Sequence, residues 1–121
     1  MSNEVDISGF FFDTQLEEIH QCTKLVFSGK DYQYKPKIEI QIESDDLDFW
    51  IRDDDTANAD GTMDFLLCGT YLGSYALSRE LMKKLMGALD ERGIKYQIDM
   101  VEQTETGELV SDMEQFSNIV I

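Results

Sequence analysis

Lys37-Ile38-Glu39-Ile40-Gln41-Ile42-Glu43 alternates without a break, isoleucine on one side and charged or amide side chains on the other. Successive side chains of an extended strand point to opposite faces, so only a strand sorts this order into one apolar and one polar surface. The stretch predicts a strand half-buried in a sheet, and the rest of the chain must supply the core beneath its isoleucines.

Downstream, residues 48–52 and 62–70 read as two more strands, and 53–61 between them is rich enough in Asp, Asn and Gly to form a solvated turn. Ser74 then opens a helix running to Arg92. Leu77, Leu81, Leu85 and Leu89 recur four apart along it, Met82 and Met86 lie beside them, and Gly93 stands where a C-terminal cap belongs. Its other side balances Arg79, Lys83, Lys84 and Arg92 against Glu80, Asp90 and Glu91, so this helix is no part of an acidic surface. Residues 95–101 read as a strand, 102–108 as a loop and 116–121 as a final strand, whose Ile119, Val120 and Ile121 could equally pair with a second chain. Upstream, Thr14-Gln15-Leu16-Glu17 has the form of a capping box. Leu16, Ile19, Thr23, Val26 and Phe27 follow at helical spacing until Ser28-Gly29, predicting a first helix over 14–28, although 23–27 also reads as a short strand. The order α-β-β-β-α-β, with the candidate last strand behind it, is that of a single α+β domain over 1–121. Its sheet should be mostly antiparallel, of four to five strands, packed against two helices.

At 121 residues and 42% hydrophobic, the chain suits one domain. Thirteen aromatic residues and one proline argue against disorder despite a net charge of −15. Nothing near Met1 has the basic region of a signal peptide, and Gly9-Phe10-Phe11-Phe12 is too short to cross a membrane, so a cytoplasmic location is expected. Cys22 and Cys68 are too few for a disulfide framework and are expected as thiols. Such acidity is repelled by phosphate backbones and anionic membranes, which argues against direct nucleic-acid or membrane binding and favours a basic protein partner.

The charge is concentrated. Asp45, Asp46, Asp48, Asp53, Asp54, Asp55, Asp60 and Asp64 fall within twenty residues, with Arg52 the one base among them. Like charges so placed repel, and a fold that keeps them either solvates them or uses their field on a cation. If 48–52 is a strand, Phe49 and Ile51 share its buried face, and Trp50 projects with Asp48 and Arg52 from the other. Trp50 would then be an interface anchor ringed by aspartates, unless a helix covers that face too and it is core, as the usual burial of tryptophan favours.

Catalysis finds little to work with. His20 and Cys22 stand two apart on the first helix, on different faces, and Cys68 in Leu66-Leu67-Cys68 reads as a small core residue. The stretch Thr56-Ala57-Asn58-Ala59-Asp60-Gly61 can be set on a calcium loop only with Thr56 first and Leu67 twelfth, which removes its best ligands. An opportunistic divalent site on Asp53, Asp55 and Asp60 is the alternative, but no metal, cofactor or catalytic residue is expected. In size, charge and α+β order the chain resembles the bacterial immunity proteins that neutralise secreted toxins. The resemblance implies a cognate basic toxin, often a nuclease, occluded one to one by a monomer or weak homo-oligomer. The partner-binding residues expected on this reading are the eight aspartates with Leu47 and Trp50. Other readings are a nucleic-acid mimic acting on a defence protein, a metal-responsive module, and an assembly subunit.

Overall fold

In a computed structural model of the protein, which describes residues 3–27, 31–57, 59, 61–104 and 106–119, with backbone alone at 54–57, the chain begins with a strand missing from the expected order. Glu4–Thr14 forms β1, and Val5, Ile7, Gly9 and Phe11 alternate into the core. Along the sequence this period is obscured by three consecutive phenylalanines and by a glycine that looks like a breaker. The glycine has a packing reason: a Cβ at Gly9 would lie 2.4 Å from the Gln97 carbonyl oxygen, so only hydrogen lets the two strands close.

Thr14 therefore belongs to the sheet, opposite Met63, and is not the helix cap. Gln15 takes the N-cap position of α1 (Leu16–Val26) without a side-chain cap, and its Nε2 donates instead to the Gly61 carbonyl oxygen at 2.9 Å. Residues 23–26 are helical, while the Ser28-Gly29 stop lies outside the described residues. Next comes β2 (Asp31–Lys35), also unexpected, because it buries tyrosines rather than aliphatic side chains: Tyr32 and Tyr34 lean on α1.

The strand of alternating isoleucines, β3 (Glu39–Glu43), starts two residues later than its pattern. Lys37 adopts φ 66° in the turn before it, which removes Ile38 from the stripe and leaves it 62% exposed, while Ile40 and Ile42 are fully buried. β4 (Leu47–Ala57) and β5 (Met63–Leu72) are longer than expected, and β4 carries residues 53–57 that read as a turn. In α2 (Tyr75–Glu91) the Ser74 hydroxyl accepts from the Leu77 amide, and Gly93 at φ 69° closes the far end, as predicted. Ser78, Met82, Leu85, Met86 and Leu89 form its buried side, and Leu77 is exposed. β6 (Lys95–Gln103) and β7 (Glu114–Ser117) complete the chain, β7 ending before the expected 116–121, of which 120 and 121 lie outside the described residues.

All strand pairs are antiparallel, in one sheet ordered β2-β3-β4-β5-β1-β6-β7. The α+β class is as expected, but seven strands replace four to five, and the element order is β-α-β-β-β-β-α-β-β. The N-terminal strand accounts for most of the difference: it lies between β5 and β6 and joins the β2–β5 meander to the β6–β7 hairpin. Both helices lie on one face, where Leu16, Ile19, Leu85 and Leu89 meet Ile42, Phe49, Leu67 and Ile98 in a single core.

Candidate protein-binding face

Because every strand alternates, the sheet face away from the helices displays the other half of each strand. Row by row, the register sets Gln33, Gln41, Trp50, Cys68, Ser8, Asp99 and Gln115 side by side, and next to them Lys35, Glu39, Arg52, Leu66, Phe10 and Gln97. The centre of this face is apolar. Phe10 is 38% exposed and stacks on Phe12 at 6.0 Å, and Cys68 is exposed beside Trp50. Cys68 is thus not a core residue: Leu67 and Gly69 take the helix side and leave it on the open one. Cys22 is buried as read, its Sγ donating to the Ala88 carbonyl oxygen at 3.5 Å, and burial pushes its thiol pKa up.

Trp50 lies on the open face, half-buried, with the Arg52 guanidinium 4.4 Å from its ring centre. Arg52 Nε also donates to Glu39 Oε2 at 2.7 Å, and Lys35 Nζ lies 3.3 Å from the other carboxylate oxygen. These cations, Arg52 foremost, hold the Glu39 carboxyl below its ordinary range. The indole lies on the face opposite the one where both helices pack.

On the other side of that central row acidic side chains meet across the strands. Asp31, Glu43 and Asp48 are directly opposite one another on β2, β3 and β4, and after Thr70 on β5 the row resumes with Asp6 on β1. At about 4.8 Å between strands, four carboxylates span about 19 Å with no base among them. Like charges directly opposite destabilise a sheet, so the row opposes folding unless a cation answers it. Two hollows lie along it. One, of about 220 Å³, is lined by Asp31, Tyr32, Gln33, Gln41 and Glu43; the other, of about 250 Å³, includes Glu4, Asp45, Asp46 and Asp48. Both fall below the ~300 Å³ at which small-molecule sites begin and suit protruding side chains better. On β6, next to the edge strand β7, Asp99 Oδ1 is buried with no hydrogen-bond partner among the described residues.

The described aspartates among residues 45–64 do not form one patch. Asp45 and Asp46 lie in the β3–β4 turn, where Ser44 Oγ donates to Asp46 Oδ1 at 2.9 Å and the Leu72 amide donates to the Asp46 carbonyl oxygen at 2.7 Å. With Asp48 they belong to the acidic row. Asp53 is about 17 Å further along β4, at about 3.3 Å per residue, on the helix side opposite Phe65. Asp64 Oδ1 accepts from the Asp13 amide at 3.0 Å. The side chains of Asp54 and Asp55, and Asp60 altogether, lie outside the described residues, and with them the calcium-loop and divalent-site readings. Leu47, expected among the partner-binding residues, shares the inward parity of Phe49 and is 1% exposed, so its side chain belongs to the core. Asp6, Asp31, Glu43, Phe10 and Asp99 join the face only through β1, β2 and the register. The signal for Asp6 was present in its alternation with Val5 and Ile7.

His20 holds β2 to α1. Its Nδ1 lies 2.7 Å from the Tyr32 hydroxyl and its ring stacks on Tyr34 at 3.9 Å, with partial desolvation lowering its pKa. Among the described residues no three His, Cys, Asp or Glu side chains are grouped to hold a metal, and no helix is long and apolar enough to cross a membrane. Comparison with protein-family models, with curated proteins and with solved structures found no match.

Proposed function

We propose that this chain binds and blocks a basic protein through the open face of its sheet. The observation that carries this reading is the row Asp31, Glu43, Asp48 and Asp6, four carboxylates in cross-strand register beside an uncovered Trp50. The row attracts a cationic surface at long range, with rate gains of about 10- to 1000-fold at low salt, and the aromatic centre slows departure once water is excluded. Carboxylates at inter-strand spacing would stand in for the phosphates that a nuclease or other basic toxin binds, in keeping with the resemblance to immunity proteins.

The test is capture from native lysate by the tagged protein and by a variant carrying Asp31→Asn, Glu43→Gln and Asp48→Asn. One basic protein should be retained in equal ratio by the parent through a high-salt wash and lost from the variant. Equal retention by both would move the interface off this face.

A further inference from the structure

A second surface lies at the other end of the molecule, on the helix side. Between the start of α1, the β2–β3 turn and the start of β5 is a cavity of about 470 Å³, the size of a ligand site, with Leu16, Tyr34, Met63 and Phe65 as its floor and Glu17 and Lys37 at its rim. Leu16 and Phe65 are otherwise core residues, here reached from outside. Among the described residues, both non-glycine residues with positive φ border this region: Lys37 at 66° at the rim, and Asp13 at 54° just before Gln15, which also lines it. Left-handed backbone costs such residues about 1–2 kcal/mol each and is often kept where a surface must hold a shape for a ligand. Apart from Lys37 the surround is acidic. Glu17 accepts from Tyr34 at 2.8 Å and from Gln21 at 2.7 Å, Asp53 is opposite Phe65 on the adjoining strand, and Asp13 and Asp64 are joined at the end of β1.

We propose that this cavity receives an aromatic or large aliphatic side chain from a basic segment of a protein partner, with cationic neighbours of that side chain meeting Glu17 at the rim. The floor of Tyr34, Phe65 and the Met63 thioether suits an aromatic ring, sulfur–aromatic contact included. A net charge of −15 selects against an acidic peptide carrying the same ring. The inference rests on the reading of a basic partner but assigns it a second contact, remote from the acidic row and built of different residues.

Two NMR reporters keep the surfaces apart: the Met63 methyl, labelled with ¹³C and assigned through Met63→Leu, and the indole N–H of Trp50, the chain's one tryptophan. The probes are blocked tripeptides, Lys-Phe-Lys against Lys-Gly-Lys and Glu-Phe-Glu. Lys-Phe-Lys should move the Met63 signal saturably, with a Kd in the millimolar range that Glu17→Gln weakens several-fold. Lys-Gly-Lys and Glu-Phe-Glu should leave the signal in place. A Met63 signal that ignores Lys-Phe-Lys, or answers all three probes alike, overturns the proposal. Movement of Trp50 alone would overturn it while leaving the open-face reading intact, and silence at both reporters would tell against both.

Discussion

At the scale of single residues, backbone demands and side-chain contacts give opposite consequences for similar changes. Gly9→Ala places a methyl 2.4 Å from the Gln97 carbonyl oxygen and must push β1 from β6, at an expected loss of about 1–3 kcal/mol in urea unfolding. Gly87→Ala is its counterpart. That glycine is in α2 with nothing within 4 Å of the added carbon, so the same substitution should stabilise by about 0.5–1 kcal/mol through helix propensity. Lys37→Gly removes the left-handed strain at φ 66° but adds chain entropy to the unfolded state, and the balance should raise stability by up to about 1 kcal/mol. A fall in melting temperature in that variant would mean that the Lys37 side chain does more for the fold than its backbone costs. Neither glycine's role can be read from composition, because in each case the deciding atom belongs to another part of the chain or to none.

At the scale of elements, the edge strand β7 depends on a polar clamp. Glu114 accepts from Arg79 Nε at 3.0 and 3.1 Å and from the Tyr75 hydroxyl at 2.8 Å, tying β7 to the first turns of α2, while Arg79 also stacks 5.6 Å over Phe116. These partners, Arg79 first, hold the Glu114 carboxyl below its ordinary value of 4.5. A carboxyl depressed in the folded state stabilises it above the unfolded value and loses that contribution as pH falls through the folded one. Protection of the Phe116 amide from hydrogen exchange should therefore hold at neutral pH and decline below about pH 4.5, and Glu114→Gln should remove that pH dependence. The helices were legible because their apolar residues repeat along one segment, with Ser74 and Gly93 as punctuation. β2 was not, and β7 only in part, since their burial comes from single aromatic residues and polar ties to helices distant in sequence. The Thr14 box shows the same limit from the other side: its pattern is local, but Thr14 is claimed by pairing with Met63.

At the scale of the whole molecule, charge and topology act together. Carboxylates directly opposed on β2, β3 and β4 each cost the sheet about 0.2–1 kcal/mol, so Asp31→Asn with Glu43→Gln should raise the melting temperature at low salt, and added salt should narrow the gap between variant and parent. A variant less stable than the parent would show that these carboxylates are engaged within the fold and not held for a partner. By itself the sequence determined the α+β class, both helices, the inward faces of β3 and β4, and a strongly acidic net charge, because each follows from local period or from a sum over residues. Tertiary structure alone decided that β1 lies between β5 and β6, that Asp45, Asp46 and Asp48 are parted from Asp53 along β4, and that Leu47 is core while Asp6 and Asp31 join Asp48 on an open face. The physical reason is that alternation states which side of a strand is apolar, while only pairing across the sheet decides which strands are neighbours and hence which charges meet.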